Sequence, residues 1–166
     1  METERGAWLE QAMASHEEAL FRLCFAYLGD AALAEDAVQE TFVKAYKGYG
    51  RYGQDGHDKA WLTRIAINTC KDMRKSAWFR HVDRRTALES LPEEGTPFTE
   101  RDDTLTRAVM ALHPWLREVV LLYDGQGLTA EETARALGIA RSTVFKRLNK
   151  AHETLKKELE AWYHDR

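Results

Sequence analysis

Arg141, Ser142, Thr143, Lys146, Arg147 and Lys150 fall within ten residues, a set of cationic and hydroxyl side chains suited to holding phosphates and donating to base edges. A second set, Arg64, Asn68, Lys71, Arg74 and Lys75, lies in the segment KAWLTRIAINTCKDMRK, residues 59–75. There Lys and Arg can fix register on a phosphate backbone, and the Asn amide offers a base edge both a donor and an acceptor. Just upstream, Tyr46, Tyr49 and Tyr52 stand among glycines and polar groups, including Gln54 and Asp55. Aromatic rings beside a cationic groove suit unpaired bases, because stacking gives ~1 to 3 kcal/mol per base whatever the sequence, while loop hydrogen bonds can select one base. The chemistry indicated is nucleic-acid binding: duplex by the first set, opened strands by the second. Loop tyrosines also pack back onto their own domain, and Trp61, at a helix start, reads as a core anchor.

The elements that position the first set are legible in Thr129–Ala151, TAEETARALGIARSTVFKRLNKA. Thr129 followed three residues later by Glu132 is a capping box that starts one helix. Ala134 is small where two helices cross, Leu137 and Ile139 supply apolar contacts, and Gly138 sits where the turn needs positive φ. Val144, Leu148, Ala151, Leu155 and Trp162 then recur on one face, which leaves the cationic set on the others. This is a helix-turn-helix with a basic second helix; a solvated charged helix in a bundle is the plainer alternative.

The remaining chain also reads as helix. Leu20, Leu23, Tyr27 and Leu28 close a first helix at Gly29, and Asp30 caps a second whose Ala34, Val38, Thr41, Phe42 and Ala45 share a face to about Lys47. Four glycines predict a loop over Tyr46–Asp58, followed by a third helix from about Lys59 to Phe79. Periodicity fails from about Arg80 to Asp103, where Pro92, Gly95 and Pro97 mark a linker. It returns with Leu105, Val109, Leu112, Leu116, Val119 and Tyr123, interrupted by Pro114 at the first turn of a helix capped by His113. The expectation is an all-α chain of two small helical domains, 1–80 and 104–166, joined by a flexible linker, 81–103. About twenty linker residues span ~70 Å when extended, or two turns of duplex at ~34 to 36 Å each.

The 166 residues carry a net charge of −3, which hides strong segmentation. Residues 1–40 sum to −7, 59–85 to +6, 86–134 to −7 and 138–157 to +5. Nucleic acid responds to local potential, so two basic surfaces can bind despite an acidic total. The acidic segments can meet protein or limit non-specific adhesion to DNA. The N-terminus, METERGAWLE, has no signal-peptide character and no apolar run approaches the ~18 residues of a membrane span, so a soluble intracellular protein without membrane insertion is expected. Cys24 and Cys70 lie singly among apolar neighbours, and His16, His57, His81, His113, His152 and His164 show no metal-ligand spacing. Neither disulfide, metal nor cofactor is expected. The absence of a phosphate loop or nucleophile motif leaves an enzyme with little support.

Taken in order, AEDAVQETFVKAY (34–46), AWLTRIAINTCKDMRK (60–75), the linker, LHPWLREVVLLY (112–123) and the helix-turn-helix resemble a bacterial sigma-70 family sigma factor of the extracytoplasmic-function (ECF) group. The resemblance covers nearly the whole chain. It implies sigma domains two and four joined by a flexible segment, in a non-enzymatic subunit that binds core RNA polymerase and directs it to promoters. By that likeness Asp36, Gln39, Glu40 and Phe42 fall on the surface for the beta-prime clamp helices; Asp36 and Glu40 also read as an ordinary solvated face, and Phe42 on its own spacing reads rather as core. Tyr52, Gln54 and Asp55, with Arg64, Asn68, Lys71, Arg74 and Lys75, would recognise and help open the −10 element. Arg141, Ser142, Thr143, Lys146, Arg147 and Lys150 would dock at −35. The implied partners are core polymerase, through the clamp helices and the beta flap, and promoter DNA. Many relatives also have a membrane-bound anti-sigma factor, which would hold a cytoplasmic protein of the nucleoid at the inner membrane face. Two departures stand out: Asp58 where an aromatic is usual three residues before Trp61, and TVFKRL at 143–148 where TVKSRL is usual, so Phe145 replaces a Lys and Lys146 a Ser. Phe145 can meet a thymine methyl or pack on the neighbouring helix. A stand-alone repressor or activator, binding DNA without polymerase, is the principal rival.

Overall fold

A computed structural model describes residues 2–52, 56–76 and 100–164. The chain divides into two compact units, residues 1–91 and 92–166, and among the described residues each is built from helices alone. In the first unit α1 (Glu2–Leu28), α2 (Ala31–Tyr52) and α3 (Asp58–Lys75) pack mutually. The turn between α1 and α2 follows from two residues. Gly29 adopts φ 73°, a left-handed conformation costly for a side chain with Cβ, and Asp30 Oδ1 accepts a 3.0 Å hydrogen bond from the Leu33 N–H. Leu20, Leu23 and Cys24 of α1, Ala34, Ala37 and Phe42 of α2, and Leu62, Ile67 and Cys70 of α3 form the core. The Cys24 thiol, hydrogen-bonded to Cys70, and burial together push the Cys70 thiol well above the ordinary thiol range. The pair therefore packs as small apolar groups.

The expected loop at Tyr46–Asp58 begins later than its glycines suggest. α2 continues through Gly48 and Gly50 to Tyr52. Glycine costs a helix ~1 kcal/mol per residue relative to Ala, and here ring packing outweighs it. Tyr49 is buried with its ring centroid 5.1 Å from that of Trp8, and Tyr52 stacks on Trp61 at 4.3 Å with an interplanar angle of 4°. Gly48 lets the Trp61 ring approach, since a Cβ there would stand 3.3 Å from it. α3 ends at Lys75, and Phe79 lies outside the described residues.

The second unit comprises α4 (Glu100–Ala111), α5 (Pro114–Val120) running into a π-helical turn at Leu121–Gly125, α6 (Ala130–Leu137) and α7 (Arg141–His164). α4 begins inside the segment read from sequence as linker, and residues 81–99 lie outside the described ones. Pro114 occupies the first turn of α5, and the His113 ring caps it by accepting from the Trp115 N–H at 3.3 Å. Residues 118–122 are all buried, which makes α5 and its π turn the hub of this core. α4 meets that core through Ala108 and Val109, with Leu112 buried just after its end; Leu105, read as part of the stripe, is 46% exposed. The Trp162 side chain lies outside the described residues.

Gly138 holds φ 67° at the turn between α6 and α7. Gly138→Ala is expected to lower the stability of the second unit by about 1–2 kcal/mol, the cost of a Cβ in the left-handed region. Urea denaturation followed by circular dichroism measures it, and an unchanged midpoint would show that the turn relaxes to another conformation.

Candidate nucleic-acid interface

The helix-turn-helix is fixed at both ends of its first helix. Thr129 Oγ1 accepts from the Glu132 N–H at 3.0 Å, and Glu132 Oε1 accepts from the Thr129 N–H at 2.9 Å, closing the capping box. At the other end the Ile139 N–H reaches the Ala134 carbonyl at 3.1 Å, across the left-handed Gly138. α7 then packs with Val144, Leu148, Ala151 and Leu155 buried. That burial determines what faces water: Arg141, Ser142, Phe145, Lys146, Asn149 and Lys150 are exposed and Thr143 is half-buried. Asn149 was not among the residues singled out from sequence, although it sits between Lys146 and Lys150 with an amide able to pair with an adenine edge. Its signal was its distance from the apolar stripe.

Arg147 departs from the rest of the set. Its Nη1 lies 3.8 Å from Glu118 Oε1, a carboxylate only 4% exposed, and its guanidinium carbon stands 5.4 Å from the centroid of the Trp115 ring. Its side chain is 24% exposed. A buried carboxylate is expensive unless a cation meets it, so this Arg has a structural task inside the unit. Periodicity along α7 cannot reveal this, because the partner lies on α5.

In the first unit Arg64, Asn68, Lys71 and Lys75 follow at helical spacing along one side of α3, with Arg64, Asn68 and Lys75 exposed and Lys71 and Arg74 half-buried. The structure brings these together as one cationic strip. Gln54 and Asp55 lie outside the described residues. Tyr52 is not an open stacking platform, since one face of its ring is covered by Trp61. Asp58, where the family pattern has an aromatic, accepts a 3.3 Å hydrogen bond from Trp8 Nε1, tying α1 to the first turn of α3. Arg5 adds cation–π contacts to Tyr46 and Tyr49 at 5.2 and 5.9 Å from their centroids. The segment around 53–55 is thus flanked by a braced aromatic cluster.

On α2, Asp36, Gln39 and Glu40 are exposed on one face. Phe42 is 5% exposed and belongs to the core, because it lies on the same buried stripe as Val38 and Ala45. The apolar residue that joins the acidic face is Val43, 46% exposed, seven residues after Asp36 and three after Glu40. Glu40 also lines a cavity of about 340 Å³ between α2 and α3, with Leu33, Lys44, Thr69, Asp72, Met73 and Ser76. No described helix is long and apolar enough to cross a membrane.

Two helical units, one carrying a capped helix-turn-helix with a cationic outer face and the other a cationic helix beside an acidic one, define a DNA-binding helical protein. Residues 12–80 match the family Sigma-70 region 2, and residues 102–155 match Sigma-70, region 4. The chain is 35% identical over 151 residues to the ECF RNA polymerase sigma factor SigL of Mycobacterium tuberculosis, covering 87% of this chain and 85% of that protein. It is 30% identical over 154 residues to the ECF RNA polymerase sigma factor SigE of Mycolicibacterium smegmatis, covering 89% of this chain but 60% of that longer protein. The sigma factor RpoE of Bartonella quintana, solved with the anti-sigma factor NepR, is similar in structure with a TM-score of 0.76 at 25% identity, over 91% of this chain and 96% of that one. CnrH, solved with the cytosolic domain of CnrY, gives a TM-score of 0.68 at 25% identity, over 92% and 88%. The chain belongs to the sigma-70 family of RNA polymerase sigma factors, in the ECF group.

Arg147→Ala is expected to destabilise the protein by about 1 kcal/mol, since it removes a nearby cation from a buried carboxylate that keeps its other interactions. Adding Glu118→Gln should recover part of the loss. Thermal unfolding of the single and double variants measures the coupling, and strictly additive losses would rule it out.

Proposed function

We propose that this sigma factor, a non-enzymatic promoter-recognising subunit of RNA polymerase, works through three surfaces set by helix packing. The exposed face of α7 docks in the major groove of the −35 element, with Arg141, Ser142, Thr143, Lys146 and Lys150 on phosphates and base edges and Arg147 holding the helix in place from behind. The α3 strip of Arg64, Asn68, Lys71, Arg74 and Lys75 follows the backbone at −10, where the segment containing Tyr52, Gln54 and Asp55 receives unpaired bases. The acidic face of α2, with Asp36, Gln39, Glu40 and Val43, meets the beta-prime clamp helices of core polymerase, with Phe42 supporting it from inside. The second unit meets the beta flap. Domain assignments of 1–80 to −10 recognition and 104–166 to −35 recognition follow.

Melting is driven by capture. Each opened step sacrifices ~1.4 kcal/mol of duplex stacking, and contacts of the unpaired bases with the polar residues of that segment and of the separated strand with the α3 strip offset it. The observation that carries this reading is the match of both units, in order, to sigma regions 2 and 4, with the cationic face of each turned to solvent. The neighbours solved with NepR and CnrY support an anti-sigma partner for this chain too. In this reading the free protein acts in the cytoplasm at the nucleoid, and a membrane-bound inhibitor would hold it at the inner membrane face.

Core polymerase with this chain is expected to yield promoter-dependent transcripts from genomic templates in vitro; none on any template would refute the function, and tight operator binding without polymerase would favour a stand-alone regulator. Asp36→Arg with Glu40→Lys should weaken co-purification of core polymerase at least about tenfold, as like charges oppose docking. Lys146→Ala and Lys150→Ala should each lower the slope of log affinity against log salt by about one unit. An unchanged slope removes that residue from the phosphate contacts.

A further inference from the structure

Phe145 stands 41% exposed on α7, while Val144 beside it and Leu148 in the next turn are buried at 0% and 3% exposure. The ring therefore does not serve the core. Arg141, one turn earlier, places its guanidinium carbon 5.7 Å from the ring centroid, a cation–π contact that holds the two side chains together at the start of the helix. Exposed Ser142, Lys146 and Asn149 surround the pair. An apolar ring thus sits within the first two turns of a recognition helix, the part that reaches base edges in a helix-turn-helix.

The major groove narrows what such a ring can meet. Guanine offers acceptors, cytosine a donor, and adenine one of each, none of which a phenyl group can satisfy. Thymine alone offers a 5-methyl group, and removing ring and methyl from water together is favourable. A Lys at 145 would do the opposite, reaching the O6 and N7 acceptors of guanine. We propose that Phe145 is a specificity-determining residue that selects thymine at one position of the −35 element through its 5-methyl group, with Arg141 held beside it by the ring. This rests on the assignment of α7 to the −35 element.

The test uses holoenzyme assembled from core polymerase and the full chain. It is offered promoter fragments randomised across the −35 element, once with thymine and once with uracil in its place. Uracil keeps every hydrogen-bonding group and lacks the methyl. The wild-type protein should enrich thymine at one position and lose about fourfold in affinity when uracil replaces it there, the value of one buried methyl. Phe145→Ala should bind the two bases equally at that position, and Phe145→Lys should shift the preference there to guanine. Wild-type protein indifferent to uracil at every −35 position, or Phe145→Ala that retains full discrimination, overturns the inference and leaves the −35 assignment standing. Wild-type protein without any −35 selection overturns that assignment, and the inference with it.

Discussion

The requirement that each long helix bury one apolar stripe determines the charged surfaces that this protein presents to solvent. Val144, Leu148, Ala151 and Leu155 must face the core of the second unit, and Leu62, Ala66, Ile67 and Cys70 that of the first. Each large apolar side chain so buried contributes about 1.5–3 kcal/mol. With those stripes inward, Lys146, Lys150, Arg64, Asn68 and Lys75 have nowhere to go but solvent. No separate device is needed to create a basic surface, because the helices that pack the core carry the cations on their other side. Arg147 shows the limit of the rule. Lying between stripe and face, it turns to the buried Glu118, and its charge goes to holding α7 against α5.

The charge pattern has a matching logic. In the first unit the acidic face of α2 and the cationic strip of α3 belong to adjacent helices, so a small body carries both signs and a total near neutrality. Fields from exposed charges decay over ~8 Å at physiological ionic strength, so the acidic and cationic surfaces of one domain keep separate local potentials. α1 contributes bracing. Arg5 and Trp8 grip Tyr46, Tyr49 and Asp58, so the end of α2 and the start of α3 are held from one side by rings and a hydrogen bond.

Local chemistry made much of this legible beforehand. The capping box at Thr129, the left-handed Gly138, the Asp30 cap and the His113–Pro114 start are interactions between residues a few positions apart, and sequence displays them directly. What escaped depends on distant partners. Gly48 and Gly50 argue against helix until Trp8 and Trp61 are seen packed on Tyr49 and Tyr52, when ring burial outweighs the glycine cost. Phe42 was readable as core from its stripe, whereas Val43, one step of 100° further round the helix, was not singled out as an exposed apolar residue. The inward pairing of Arg147 needed a carboxylate from another helix. Phe145 left two options open in the sequence, and its exposure selects the one in which the ring faces outward.

Footprinting of the holoenzyme on a promoter, combined with permanganate probing of unpaired thymines, tests most directly whether the cationic faces of the two units hold one duplex at two places. Two protected stretches are expected, with permanganate-reactive thymines confined to the downstream one. A single protected stretch, or two without reactive thymines, would contradict it.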